Sequence, residues 1–239
     1  MNLSGIRTDK KLDVFDNVDR DDLSEQVIVL VGDNGIGKTQ ILKKISAYVD
    51  ENSDLAWVAV DADQLPNHPN LTKMVGQCIK DPDLRTKLFE LLVTAEPQFI
   101  DLSIKNSQLM AQVTWSREPI NASQLGRGFN QLLKIGAAVL TTTNGFVFID
   151  DIECFLHHRT QAALVSFIQE VDKNNQYFIT TNSSDFIKYM ASIKTDNKMS
   201  KSVVRLGEVA KYSTKGAICG NIFSDTEASN LISVGMDIR

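Results

Sequence analysis

The sequence predicts an α/β fold built around a phosphate-binding loop, and three observations predict it. Gly32-Asp33-Asn34-Gly35-Ile36-Gly37-Lys38-Thr39 is a complete G-x-x-x-x-G-K-T pattern set between an apolar run and a helical pattern. Phe146-Val147-Phe148-Ile149 is a second apolar run, and it ends in two carboxylates, Asp150 and Asp151. Strand-like and helix-like stretches alternate around both. That is the pattern of an open parallel sheet, in which ligands bind beyond the C-terminal ends of the strands.

Taken in order, the chain opens with a short strand-like piece followed by the acidic run Asp16 to Glu25, read as a solvated connection. Val27-Ile28-Val29-Leu30-Val31 is continuously apolar and β-branched, which marks a strand buried on both faces. The glycines after it let the backbone curl so that successive N–H groups point into one concavity that fits a phosphate chain. Lys38, read as a surface charge at the loop–helix junction, reaches the β and γ phosphates, and Thr39 offers its hydroxyl to Mg²⁺. Asn34, Gly35, Gly37 and Gln40 complete the candidate nucleotide set on this loop. Ile41, Leu42, Ile45, Tyr48 and Val49 follow at helical spacing, so the loop feeds the positive end of a helix dipole.

Trp57 to Val60 is the next strand, ending at Asp61-Ala62-Asp63-Gln64. Residues 65–107 read as a mostly helical insertion in a single 1–239 domain, with Leu84, Leu88, Leu91 and Leu92 on one face. Gln108 to Trp115 alternates as a strand does. Ser123-Gln124-Leu125-Gly126-Arg127-Gly128 opens another helix, with Phe129, Leu132, Leu133 and Val139 on its apolar side. The run at 146–149 then pushes Asp150 out at the sheet edge, where it would join a Mg²⁺ shell, and places Asp151 where a base for an attacking water belongs. A helix from Thr160 to Val171 presents Leu164, Phe167, Ile168 and Val171 to the core. Tyr177 to Thr180 is a further buried strand running into Thr181-Asn182-Ser183-Ser184. Two readings of that polar cluster are open: a γ-phosphate sensor, or a cap for the helix at Phe186.

Composition narrows the classes. The chain has 239 residues, 43% hydrophobic and 23% charged, as a water-soluble α/β domain requires. No apolar run approaches a membrane span, and MNLSGIRTDKK has no apolar core or cleavage site, so the expectation is a cytoplasmic protein without a membrane partner. Cys78, Cys154 and Cys219 are isolated and odd in number, read as reduced thiols. The net charge of −5 provides no overall attraction to nucleic acid, although it leaves a local basic patch open. His157 and His158 are adjacent, so they point apart, and no Cys or carboxylate stands at metal-ligand spacing from them.

Three stretches together resemble the ABC-type ATPases of the OLD class (overcoming lysogenization defect), relatives of RecF and SMC heads. They are GDNGIGKT at 32–39, LGRGFNQLLKIGAAVL at 125–140, and FVFIDDIECFLHHRTQAALVSFIQEV at 146–171, the last followed by ITTNS at 179–183. The ending VGMDIR at 234–239 is similar too. The resemblance covers most of the chain and is weakest at 65–107. It implies a P-loop NTPase fold of ABC-ATPase type, a mixed central sheet flanked by helices, with ATP and Mg²⁺ as cofactors. It also implies that Ser123, Gly126 and Gly128 cap the γ phosphate held by a second subunit, in a homodimer or an ATPase dimer within a larger complex. Gln64 takes the place of a Mg²⁺-contacting Gln, with a plain surface Gln as the alternative. With 83 residues between Thr39 and Ser123, there is no room for a long coiled-coil arm. The chain therefore reads as a bare ATPase head whose effector or nuclease is another subunit.

Two departures from the family pattern bear on rate. Asp151 stands where the family has Glu, retracting the carboxylate by about 1.3–1.5 Å, roughly one bond length. Asn182 stands where the family has a switch His; its amide donates a hydrogen bond but carries no proton. Both predict slow hydrolysis with binding intact. Glu153, at an acidic position of the family segment, is a candidate to compensate.

Overall fold

The computed structural model describes residues 23, 25–52, 57–60, 69–171, 174–192, 201–208 and 218–233. Among these the larger sheet has six strands. β1 (Val27–Val31) lies at its centre between β7 (Gln176–Thr180) and β8 (Lys201–Glu208). Beyond β7 come β6 (Phe146–Ile149) and then β2 (Trp57–Val60); beyond β8 comes β9 (Ile218–Ser224). All neighbours pair parallel except β8 and β9, so the sheet is mixed, as expected. The register sets Ile149 beside Ile179 and Leu30 beside Thr180, which brings the C-terminal ends of β6, β7 and β1 to one edge.

Alternation along these strands builds two cores. Ile28, Leu30, Phe146, Phe148 and Phe178 face α1 (Lys38–Asn52), which contributes Ile41, Leu42, Ile45, Tyr48 and Val49. The Phe148 and Phe178 rings stack at 5.3 Å between centroids. Val27, Val29, Val31, Val147, Ile149, Tyr177 and Ile179 face the opposite way, into a larger core with α4 (Gly126–Thr141) and α5 (His158–Glu170). Every residue of α4 from Phe129 to Leu140 is buried, polar Asn130, Gln131 and Lys134 included. One apolar side was expected. The helix is instead enclosed because it packs on β2 and β6 and is covered by α2 (Pro69–Lys80) and α3 (Pro82–Val93).

Within 65–107 most of the described residues are helical, in α2 and α3, and the end of the stretch is a strand. Helix stops at Val93, and β3 (Phe99–Lys105) turns back onto β4 (Gln108–Val113), which pairs with β5 (Ile120–Asn121) in a separate three-stranded antiparallel sheet. The β3–β4 turn is Asn106-Ser107, both with positive φ (51° and 61°), the two-residue hairpin geometry that Asn accommodates. Asp81 starts α3 by accepting from the N–H groups of Asp83 and Leu84, with Pro82 at the first helical position. At the C-terminal side α6 (Ser184–Ser192) packs on α7 (Asp225–Ser233). Among the described residues no helix is long and apolar enough to cross a membrane.

Candidate functional site

The phosphate-binding loop leaves the end of β1 and enters α1 without a break. Gly35 and Gly37 have φ of 85° and 100°, the left-handed region that a side chain resists. Ile36 between them packs on the core under α1 and anchors the loop, while Asn34, Gly35 and Gln40 stay exposed. Lys38 is not the surface charge that its place in the sequence implies: it is only 7% exposed. The curled loop turns its ammonium inward, where Nζ donates to the carbonyls of Gly32 (2.8 Å) and Asp33 (3.1 Å) and to Oδ1 of Asn182 (2.7 Å). Burial pushes the Lys38 pKa below its ordinary value, against the pull of the carboxylates of Asp151, Glu153, Asp150 and Asp33.

The two motifs meet. Thr39 Oγ1 donates to Asp150, 2.8 Å from Oδ2 and 3.1 Å from Oδ1. Asp150 is held from behind: its N–H donates to the Val60 carbonyl, and its Oδ1 accepts from Thr180 Oγ1 at 2.6 Å. Asp151 has a left-handed backbone, φ 45°, and its N–H donates to the same Thr180 hydroxyl at 2.7 Å. A hydroxyl and a carboxylate converging this way are hard oxygen donors of the kind Mg²⁺ accepts. The described residues hold no group of three or more His, Cys, Asp and Glu that could bind a metal ion. Mg²⁺ needs no such group, since it is held by one or two carboxylates together with water and substrate phosphates.

Glu153 bridges two loops. Its two oxygens accept from Thr181 Oγ1 (2.7 Å) and from the Asn182 N–H (2.6 Å), tying the loop after β6 to the loop after β7. Of the two readings of the polar cluster 181–184, the structure shows the helix cap. Ser183 Oγ accepts from the Phe186 N–H and caps α6, whereas Asn182 faces Lys38. His157 caps α5 by accepting from the Arg159 N–H, and, against the expectation that adjacent histidines point apart, its ring centroid lies 3.9 Å from that of His158. Gln64 and the ending 234–239 lie outside the described residues.

Ser123, Gly126 and Gly128 form a second group. Asn121 Oδ1 accepts from both the N–H and the hydroxyl of Ser123, and Asn130 Nδ2 donates to the Gly126 carbonyl at 2.7 Å. Ser123 and Gly126 are exposed. Gly128 presses on the loop after β6, where a Cβ would lie 2.8 Å from the Phe155 carbonyl oxygen. Beside it the Arg127 guanidinium lies over the Phe155 ring, 4.8 Å from its centroid. Sequence reasoning gave no site role to Thr180, Arg127 or Phe155. A Thr at the end of an apolar strand is commonplace, and which strand stands beside it is not written locally.

No model of a known protein family matches the sequence, and no curated protein matches it either. Solved structures match over most of the chain. An RNase-L inhibitor is 18% identical with a TM-score of 0.53, covering 89% of this chain and 38% of its own. A chain of a ribosome-bound archaeal Pelota and ABCE1 assembly is 19% identical with a TM-score of 0.53, covering 88% and 32%. The fold is that of an ABC-type P-loop ATPase. An Smc head domain from Pyrococcus furiosus, bound to the C-terminal domain of ScpA, also matches at 11% identity and a TM-score of 0.44, covering 82% and 43%. The chain thus spans less than half the length of each of these three.

Proposed function

We propose that the chain is an ATP-binding, Mg²⁺-dependent ATPase head of the OLD class that dimerises around ATP and regulates a partner. The observation that carries this reading is the convergence of Lys38, Thr39, Asp150 and Asn182 at one sheet edge, from segments up to 144 residues apart. Backbone N–H groups of 34–39 and the Lys38 ammonium would hold the phosphates. Thr39 and Asp150 would hold Mg²⁺, with Gln64 as a further donor by resemblance. Held by those residues, the ion would supply positive charge to offset that of the phosphates. Asp151 is the base for the attacking water. Asn182, freed when the γ phosphate takes over Lys38, turns its amide to that phosphate. Glu153 holds the loop that carries Asn182, and the occupation of both its oxygens leaves the base role with Asp151.

The exposed Ser123–Gly128 segment would complete the pocket of a second copy or of a related ATPase subunit. The partner is then an effector or nuclease on another chain, in phage defence or DNA metabolism, within the cytoplasm. Direct binding of duplex DNA is the less favoured reading, given a net charge of −5. A nucleotide-sensing scaffold with little turnover is the second reading, favoured by the short Asp151 carboxylate and by an Asn at 182. Steady-state phosphate release with Mg²⁺-ATP separates it from an ATPase.

The reading as a whole is tested by calorimetry with Mg²⁺-ATP on the wild type and on Lys38→Ala. Hydrogen bonds to charged groups contribute about 1.5–3 kcal/mol, so affinity should fall roughly 10- to 150-fold. Because Lys38 is buried, a melting curve accompanies the titration to show that the variant is folded. Equal ATP affinity in a folded variant overturns the reading.

A further inference from the structure

We infer that Thr180 is a positioning residue for this site, its buried hydroxyl aiming Asp150 at the metal position and fixing the backbone of Asp151. The inference rests on the Mg²⁺-ATP reading above and extends it to a residue outside both motifs. Thr180 is the last residue of β7 and fully buried. Its hydroxyl has one proton to give, and gives it to Asp150 Oδ1 at 2.6 Å; its oxygen accepts from the Asp151 N–H at 2.7 Å. Its carbonyl accepts from the Ile152 N–H at 3.1 Å. One residue of β7 therefore grips three successive residues beyond the end of β6.

Two consequences follow for the chemistry. The Thr180 bond occupies Oδ1 and leaves Oδ2 of Asp150 turned to Thr39 at 2.8 Å, the geometry in which both oxygens can reach one cation. A ligating carboxylate held by an outer hydrogen bond keeps its orientation, and losing such a partner typically lowers metal affinity about 10- to 100-fold. The Asp151 N–H bond stabilises a left-handed backbone that a non-glycine residue adopts at a cost, so the direction of the Asp151 side chain also depends on Thr180. The β-branched side chain has few χ1 choices, which keeps the hydroxyl where both bonds form.

Thr180→Val preserves shape and removes the hydroxyl; Thr180→Ser keeps the hydroxyl. The probe is Mn²⁺, titrated by electron paramagnetic resonance into the full chain with a saturating slowly hydrolysed ATP analogue. Binding of the analogue in EDTA is measured alongside. The expected result is an about tenfold loss of Mn²⁺ affinity in Thr180→Val, less than twofold change in metal-free analogue binding, and recovery in Thr180→Ser. Thr180→Ala gives the same comparison if the valine variant does not fold. Wild-type Mn²⁺ affinity in Thr180→Val overturns the inference and leaves the Mg²⁺-ATP reading standing. So does a parallel fall of metal-free binding that serine fails to rescue, which marks a purely structural role. A wild-type chain that binds no nucleotide, with or without Mn²⁺, overturns both.

Discussion

At the scale of single residues, the proposed hydrolysis would turn on the length of one carboxylate. Asp151 follows the proposed Mg²⁺ ligand Asp150, and its N–H donates to Thr180 Oγ1 at 2.7 Å, which holds the main chain against sliding forward to make up for a missing methylene. A general base must lie within hydrogen-bond reach of its water, and a misplacement of about 1 Å can cost roughly 100-fold. Asp151→Glu should therefore raise steady-state phosphate release several-fold. Asp151 is only partly buried, so the longer side chain has room. A rate that falls or stays flat would show that Asp151 is not the base. Lys38 illustrates the opposite dependence. Its side chain is placed by three oxygens, one of them 144 residues away, and burial lowers its pKa while four carboxylates oppose the shift.

At the scale of elements, α4 is the piece on which the helical insertion and the sheet both depend. Ser123 lies in the 3-10 turn Ala122–Leu125 that leads into it, Gly126 and Gly128 lie in its first turn, and its body is buried from Phe129 to Leu140. Gly136 is where α3 comes closest: a Cβ there would lie 2.8 Å from Leu88 Cδ1 and 3.0 Å from Leu91 Cδ2. Gly136→Val should destabilise the fold by about 1–3 kcal/mol through overpacking, read from the urea midpoint at an unchanged slope. A midpoint equal to wild type would mean that α3 yields easily to the added methyl groups. Of the antiparallel pair beside it, β4 falls where the alternation at 108–115 reads as a strand, whereas β3 lies within the stretch 65–107 that reads as mostly helical. The Leu84–Leu92 periodicity is real but ends with α3, and the turn between β3 and β4 is carried by Asn106 and Ser107, both with positive φ.

At the scale of the whole molecule, the proposed reading gives the loop at 32–39 the phosphates and leaves the segment with exposed Ser123 and Gly126 for a second subunit. A two-fold dimer would bring each segment to the other subunit's nucleotide. ATP should then drive association, visible by light scattering with a slowly hydrolysed analogue and absent without it. Ser123→Arg is the informative block, since Ser123 is exposed. It should abolish association and spare nucleotide binding by the monomer. Gly128→Arg cannot serve, because its Cβ would strike the Phe155 carbonyl within the same chain. A chain that stays monomeric at tens of micromolar with nucleotide bound would place the completing signature on a different subunit.

The sequence by itself determined the phosphate loop, the strand that precedes it, the helix that follows, and the apolar strand ending in Asp150 and Asp151. Each is a local pattern: consecutive apolar residues for a strand buried on both faces, glycines where φ turns positive, helical spacing after them. It also determined the type of donors at the site, since Thr39 and Asp150 are hard oxygens wherever they lie. Only the tertiary structure decided that β7 stands between β1 and β6, and with it that Thr180 grips Asp150, that Glu153 clamps the Asn182 loop, and that Lys38 points inward to Asn182. Those bonds join residues 30, 29 and 144 positions apart. Their partners are chosen by strand order and register, which arise from burying two faces of one sheet at once, and no local pattern of residues encodes that choice.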